Sequence, residues 1–170
     1  MKKINPEHIK TVIDICNQGQ YFKLLSMEVR EIGIGYCKVE VDLQNKHLNP
    51  FGGVHGGVYS SLIDTAAYLA VYCEIEESVG LITLDLKVDN LAPVKKGHLV
   101  VKGKRIKAGK RICAAEATIV DSQGRLLAHG TSKQMITPGL QTIKQAALVM
   151  GYKSLPPKFI KQPAVQGVLS

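Results

Sequence analysis

Residues 47–70 read HLNPFGGVHGGVYSSLIDTAAYLA, and Asp64 is the only Asp, Glu, Lys or Arg between Lys46 and Glu74. From Gly56 to about Ile75 the residues are apolar or small all round, which predicts a helix buried on most sides. A carboxylate inside such a helix costs several kcal/mol unless it is paired, hydrated or protonated. No cation stands one turn away, because positions 60, 61, 67 and 68 are Ser, Ser, Ala and Tyr. Perturbed buried carboxylates cluster at working sites. The competing reading is a carboxylate bonded to Ser60, Ser61 or a distant backbone group.

The run Gly52-Gly53-Val54-His55-Gly56-Gly57 stands at the entrance to that helix. Glycines let a ligand approach the backbone, and the first N–H groups of a helix have no internal acceptors. Such an end draws an oxyanion or a phosphate. Gly57, Ser60 or Ser61, and Asp64 share one helical stripe. Asp64 then lies about 10 Å from the free amides at 1.5 Å per residue, too far for both to touch one carbonyl. A second copy laying its own helix alongside would close the gap, so the spacing points to a site at a dimer interface.

On the N-terminal side, residues 6–18 carry Ile9, Val12, Ile13 and Cys16 at helical spacing, with Gly19 to end the helix. Met27 to Leu43 reads as one strand interrupted by a bulge at Gly33 and Gly35, and residues 44–55 as turns. On the other side, ITLDLKVDNL places Ile82, Leu84, Leu86 and Val88 on one face and Thr83, Asp85, Lys87 and Asp89 on the other. Strands are expected at about 97–107, 111–121 and 125–137. The short turns between them argue antiparallel pairing. One sheet wrapped around a central helix satisfies this order. A helical segment over about 139–150 and a Pro-containing basic tail close the chain.

The chain has 170 residues, 45% hydrophobic and 21% charged, the composition of a soluble globular domain that can bury one core. Cys16, Cys37, Cys73 and Cys113 form no C-x-x-C pair, so reduced thiols in a cytoplasmic protein are expected rather than zinc or redox chemistry. His47, His55 and His129 match no standard metal spacing, and no metal is expected. MKKINPEHIKTV breaks up before any apolar run and does not read as a signal peptide, and no transmembrane segment is expected. Net charge is +8, with nine basic residues and one acid between Leu86 and Arg111, and no acid after Asp121. A basic field attracts polyanions such as a phosphate-bearing cofactor. Nucleic acid is not expected, because aromatics are only 5% of the chain and do not interleave with the basic residues.

Asn49, His55-Gly56-Gly57 and Asp64, nine residues after the histidine, resemble the hotdog-fold acyl-CoA thioesterases, specifically the PaaI-like (phenylacetyl-CoA thioesterase) group. The likeness continues through GLITLDLKVDNLAPVKKG and GRLLAHGTSKQMI. It divides the chain into an N-terminal helical extension over 1–19, a hotdog domain over 20–137 and a C-terminal helical and basic extension over 138–170. It implies an α+β fold in which an antiparallel five- to six-stranded sheet wraps a long central helix, assembled as a homodimer and, in many members, a homotetramer. It also implies a hydrolase that cleaves an acyl-CoA thioester into free acid and CoA, with coenzyme A entering as substrate and no separate cofactor. By the same resemblance, Asp64 is general base or nucleophile and the Gly56 amide of the partner subunit is the oxyanion donor. Asn49 and His55 position the carbonyl or water, and Thr83 holds the water near Asp64. The basic residues Lys95, Lys96, Arg105, Lys107, Lys110 and Arg111 are expected to meet the CoA phosphates.

Two other classes compete: a non-catalytic acyl-CoA-binding regulatory domain, and an acyl-thioester dehydratase or hydratase on the same scaffold. The first has little use for a buried carboxylate. The second wants a histidine facing an acid, which His55 would have to supply. A third possibility is that the acid-free tail docks the chain on a partner. Tyr59, Ile63, Tyr68 and Phe51 are candidates to line an acyl pocket.

Overall fold

A computed structural model describes residues 2–161. The central element is helix α3, Gly56–Tyr72, whose Val58, Leu62, Ile63, Ala66, Ala67, Ala70 and Val71 are all buried. Around it lies a six-stranded sheet of β2 (Met27–Gly33), β3 (Tyr36–Asp42), β4 (Val79–Asn90), β5 (His98–Ala108), β6 (Ile112–Asp121) and β7 (Leu126–Pro138). Its order is β2-β3-β5-β6-β7-β4, and every pairing is antiparallel. A helix this apolar needs such a wrapping, and the stripe of Gly57, Ser60, Ser61, Asp64 and Thr65 is left partly uncovered.

Small residues let the sheet close on the helix. A Cβ on Gly103 of β5 would lie 2.2 Å from the Ala66 carbonyl oxygen, and one on Gly130 of β7 would lie 2.9 Å from Ile63 Cγ2. Ala115 and Ala117 of β6 are fully buried in the same layer. The helix starts at His55, whose Nδ1 accepts from the Gly57 N–H at 2.9 Å.

Where one bulged strand was expected over Met27–Leu43, the chain forms a tight hairpin. Gly33 pairs with Tyr36, and Gly35 sits at φ +75 in the connection. The two glycines mark a reversal because φ near +75 is a turn conformation that glycine adopts without strain. The register shift of this hairpin falls instead between Val29 and Glu31.

A second difference concerns β4, where a register shift between Thr83 and Asp85 breaks simple alternation. Leu81 is buried, whereas Leu84 is 50% and Leu86 36% exposed, so the expected apolar face does not stay inside one chain.

The terminal segments fold onto the core. Helix α1, Pro6–Gln18, is capped by Asn5 and packs on β2, where the Asn17 carboxamide bonds both the N–H and the carbonyl of Val29. A short helix α2, Gln20–Leu25, turns the chain into β2, and α4, Ile143–Val149, starts at Thr142 with a capping box. Helix α4 is thus shorter than the expected segment over 139–150, with Gly139 and Gln141 at positive φ ahead of it.

Two short strands not read from sequence, β1 (Lys2–Ile4) and β8 (Phe159–Lys161), pair antiparallel. Lys158, in the Pro-containing basic tail read from sequence, is fully buried. Its ammonium donates to the carbonyls of Tyr72 and Ile75 and lies 3.8 Å over the Tyr72 ring. The end of the tail, residues 162–170, lies outside the described residues. Among the described residues no helix is long and apolar enough to cross a membrane.

Candidate active site

Asp64 sits half-buried in the middle of α3, between that helix and the inner faces of β4 and β7. The Thr83 hydroxyl of β4 donates to its Oδ1 at 3.0 Å, and the Ser132 hydroxyl of β7 approaches the same oxygen at 3.3 Å. Ser132 also lies 3.0 Å from the Asp85 carbonyl and accepts from the Gln134 amide at 2.9 Å. Ser60 and Ser61, the alternative partners read from sequence, bond the carbonyls of Gly56 and Gly57 instead. Among the described residues no Lys, Arg or His pairs with Asp64. One carboxylate oxygen is therefore anchored by hydroxyls. The other, Oδ2, has no donor among the described residues, and Asp64 lines an adjacent pocket.

That pocket, about 220 Å³, is lined by Cys16, Phe22, Asp64, Thr65, Tyr68, Leu69 and Ile143. Burial pushes the Cys16 thiol and the Tyr68 phenol each up to about 12, so both stay neutral. Of the other residues considered for lining, Tyr59 belongs to a different cleft, Ile63 is buried in the core and Phe51 is 92% exposed.

The second half of the site is the N-terminus of α3. A cleft of about 370 Å³ there is bounded by Asn49, Gly53, Val54, Gly56, Tyr59 and the 90–93 segment. The Gly57 N–H is taken by His55, whereas the Gly56 N–H has no acceptor among the described residues. Asn49 first organises its own turn: its Oδ1 accepts from the N–H of Phe51 at 2.9 Å and of Gly53 at 3.3 Å. Its amide nitrogen is left for the cleft. Asn90 is an addition that sequence reasoning missed, with its Nδ2 3.1 Å from where a Gly56 Cβ would stand. His47 is buried, with Nδ1 accepting from the Gln44 N–H and Nε2 donating to the Leu25 carbonyl, so it braces the loop. His129 faces Glu116 at 3.3 Å on the sheet's outer side.

The two halves do not meet within one chain, since eight helical residues put Gly56 about 12 Å from Asp64. The basic residues divide as well. Lys95 and Lys96 follow Val94, whose carbonyl accepts from the Val54 N–H at the cleft wall. Arg105 is ion-paired to Glu74 at 2.6 Å, just past the far end of α3 and some 25 Å from Gly56 at 1.5 Å per residue. Lys110 lines a depression with Glu74 at that far end, and Lys107 and Arg111 flank it in sequence. One chain thus brings only the first pair near the amide.

A helix wrapped by this antiparallel sheet is the hotdog arrangement, and here the helix carries a carboxylate at its middle and a glycine-rich entrance. Residues 51–128 match the Thioesterase superfamily profile. Human acyl-coenzyme A thioesterase 13 is 23% identical over 128 residues, which cover 73% of this chain and 91% of that protein. Among solved structures, a thioesterase of Haemophilus influenzae superposes with TM-score 0.71 at 22% identity, over 78% of this chain and 92% of its own. A thioesterase of Pseudomonas aeruginosa superposes with TM-score 0.70 at 14% identity, over 76% and 94%. The profile match spans 78 of the 170 residues, and the superpositions give the chain the fold of these thioesterases.

Proposed function

We propose that the protein hydrolyses acyl-coenzyme A thioesters at sites shared by two copies of the chain, in the manner of the PaaI-like group. The observation that carries this is the Asp64 carboxylate, unpaired with any cation among the described residues, approached by hydroxyls on one oxygen and lining a pocket. In this reading the Gly56 N–H of one copy binds the thioester carbonyl, with Asn49 and His55 shaping the loop around it. Asp64 of the other copy either takes a proton from water as the water oxygen adds to the carbonyl carbon, or attacks that carbon itself. In the first route the C–S bond then breaks to leave the free acid, and the proton held by Asp64 passes to the departing sulfur. In the second, C–S cleavage leaves an anhydride on Asp64 that water opens to the acid, a water proton going to the thiolate. A donor of this kind aimed at the developing oxyanion lowers the barrier by roughly 3 kcal/mol.

The open edge of β4 supports the pairing. It is the longer free edge of the sheet and exposes Leu84 and Leu86, alongside the charged Asp85, Lys87 and Asp89. Lys95 and Lys96 stand where they could meet CoA phosphates. The free thiols of all four cysteines suit a reducing compartment, and the cytoplasm is the proposed location. His55 faces no acid among the described residues, which gives no support to a dehydratase.

Release of free thiol from an acyl-CoA panel tests the activity. Asp64→Asn should lower kcat at least a thousandfold, and equal turnover by this variant would remove Asp64 from the chemistry. Mixing Asp64→Ala with Asn49→Ala chains should restore part of the activity, and no rescue would argue against a shared site.

A further inference from the structure

We propose that Gln134 and Ser132 of β7 form a positioning relay for the Asp64 carboxylate, with Gln134 acting through the serine hydroxyl and kept there against the stability of the fold. This rests on the thioesterase reading and adds two residues to its machinery.

Both side chains are fully buried. Gln134 pairs across the sheet with Thr83 of β4 on one side and Cys113 of β6 on the other, which sets it beside the strand that also supplies a donor to Asp64. Ser132 Oγ accepts from the Gln134 amide at 2.9 Å and has one proton of its own to give. Two acceptors lie within its reach, the Asp85 carbonyl at 3.0 Å and Asp64 Oδ1 at 3.3 Å. With the amide held on one lone pair of Oγ, that proton is confined to those two directions. It points to Asp64 while the carboxylate is charged, and it turns to the Asp85 carbonyl as Asp64 gains a proton or a bond to carbon. The relay thus steadies Asp64 without opposing the change in its charge.

Stability argues that Gln134 is not a brace. Its Oε1 is buried with no donor among the described residues. An unpaired acceptor of that kind is destabilising, and a half-satisfied buried polar pair is less stable than an apolar core of the same shape. A methionine there would have the same reach and no such atom. The hydrogen bond that Gln134 does make leads to Ser132, and from Ser132 to Asp64. Local breaks of the packing rules are expected at working sites.

The test is thiol release and thermal unfolding of Gln134→Met. Its kcat should fall about tenfold with KM unchanged, the scale of a loosened reacting group, while Tm stays at or above that of wild type. An unchanged kcat overturns the proposal, and so does a Tm that falls together with kcat, the mark of a structural brace. Ser132→Ala should lower kcat at least as far, and its Tm should drop because the Gln134 amide loses its acceptor. Adding Gln134→Met to Ser132→Ala should then raise Tm and lower kcat no further. Losses in kcat that multiply show two independent residues and overturn the relay.

A second measurement does not depend on turnover. The carboxyl carbon NMR resonance of Asp64, identified by its loss in Asp64→Asn, should shift in Gln134→Met, although the two side chains are joined only through Ser132 among the described residues. A resonance that stays in place overturns the relay. A shifted resonance in a chain that hydrolyses no thioester upholds the relay and sinks the hydrolase reading.

Discussion

At Asp64 the two carboxylate oxygens have different surroundings, and the difference predicts how variants around it behave. Thr83→Val removes the 3.0 Å donor to Oδ1 while keeping the side-chain shape. It should lower kcat about tenfold with little change in KM, read from steady-state kinetics, because it frees the carboxylate to rotate without altering the rest of the site. Asp64 was visible in the sequence because an isolated charge in an apolar helix is conspicuous. Thr83 was visible only through family resemblance, since one threonine in a strand looks like any other. Ser132 and Gln134 were not visible at all. They face inward on β7, and which residues of TSKQMI do so is fixed by pairing with β4, whose register shifts between Thr83 and Asp85. No local pattern in the sequence encodes that shift.

Among the elements, closeness between α3 and the sheet is the tightest constraint. Gly103→Ala would push a methyl to 2.2 Å from the Ala66 carbonyl, so either β5 or the helix must move. Overpacking of this kind costs about 3 kcal/mol and should lower Tm by about 10 °C, measured by calorimetry. The division of the basic residues gives a contrast between two other variants. Lys95→Ala with Lys96→Ala should raise KM for acyl-CoA and flatten its dependence on salt. Arg105→Ala should leave KM unchanged and cost at most about 1 kcal/mol of stability through its half-exposed pair with Glu74.

Element types were legible because period-two and helical patterns are strong over β5, β6, β7 and α3. The β2–β3 reversal was misread because two glycines two residues apart fit a bulge and a turn equally well. The β1–β8 pairing left no signal, since three-residue strands carry no periodicity.

Across the whole molecule, the buried cluster of His8, Tyr72 and Lys158 ties α1, the end of α3 and the tail together. His8 Nδ1 donates to the Pro156 carbonyl at 2.6 Å, which leaves Nε2 to accept the Tyr72 hydroxyl at 2.5 Å. This needs the neutral ring, and burial holds its pKa below 6.5. The unfolded chain takes up a proton there first, so His8 makes stability fall as pH drops below about 6.5. His8→Gln should flatten that part of the Tm–pH curve.

Lys158 works at the other end of the scale, with burial lowering its pKa from 10.5 to about 8. Between those values the unfolded chain holds the proton and the folded one does not, so this contribution grows with pH. The stability of wild type minus that of Lys158→Met should rise by about 3 kcal/mol over the interval, measured by denaturant unfolding at each pH. Equal slopes would show that Lys158 stays charged inside the fold.

The ribbon of β1 and β8 joins residues about 155 positions apart. During synthesis the first strand must wait roughly 8 to 30 s for its mate at ordinary ribosome speeds. Throughout that delay the hotdog shell can form, yet Tyr72 and His8 lack the lysine that covers them. A message truncated just before codon 158 would release a nearly whole but unlatched protein, the kind of species a quality-control protease removes first.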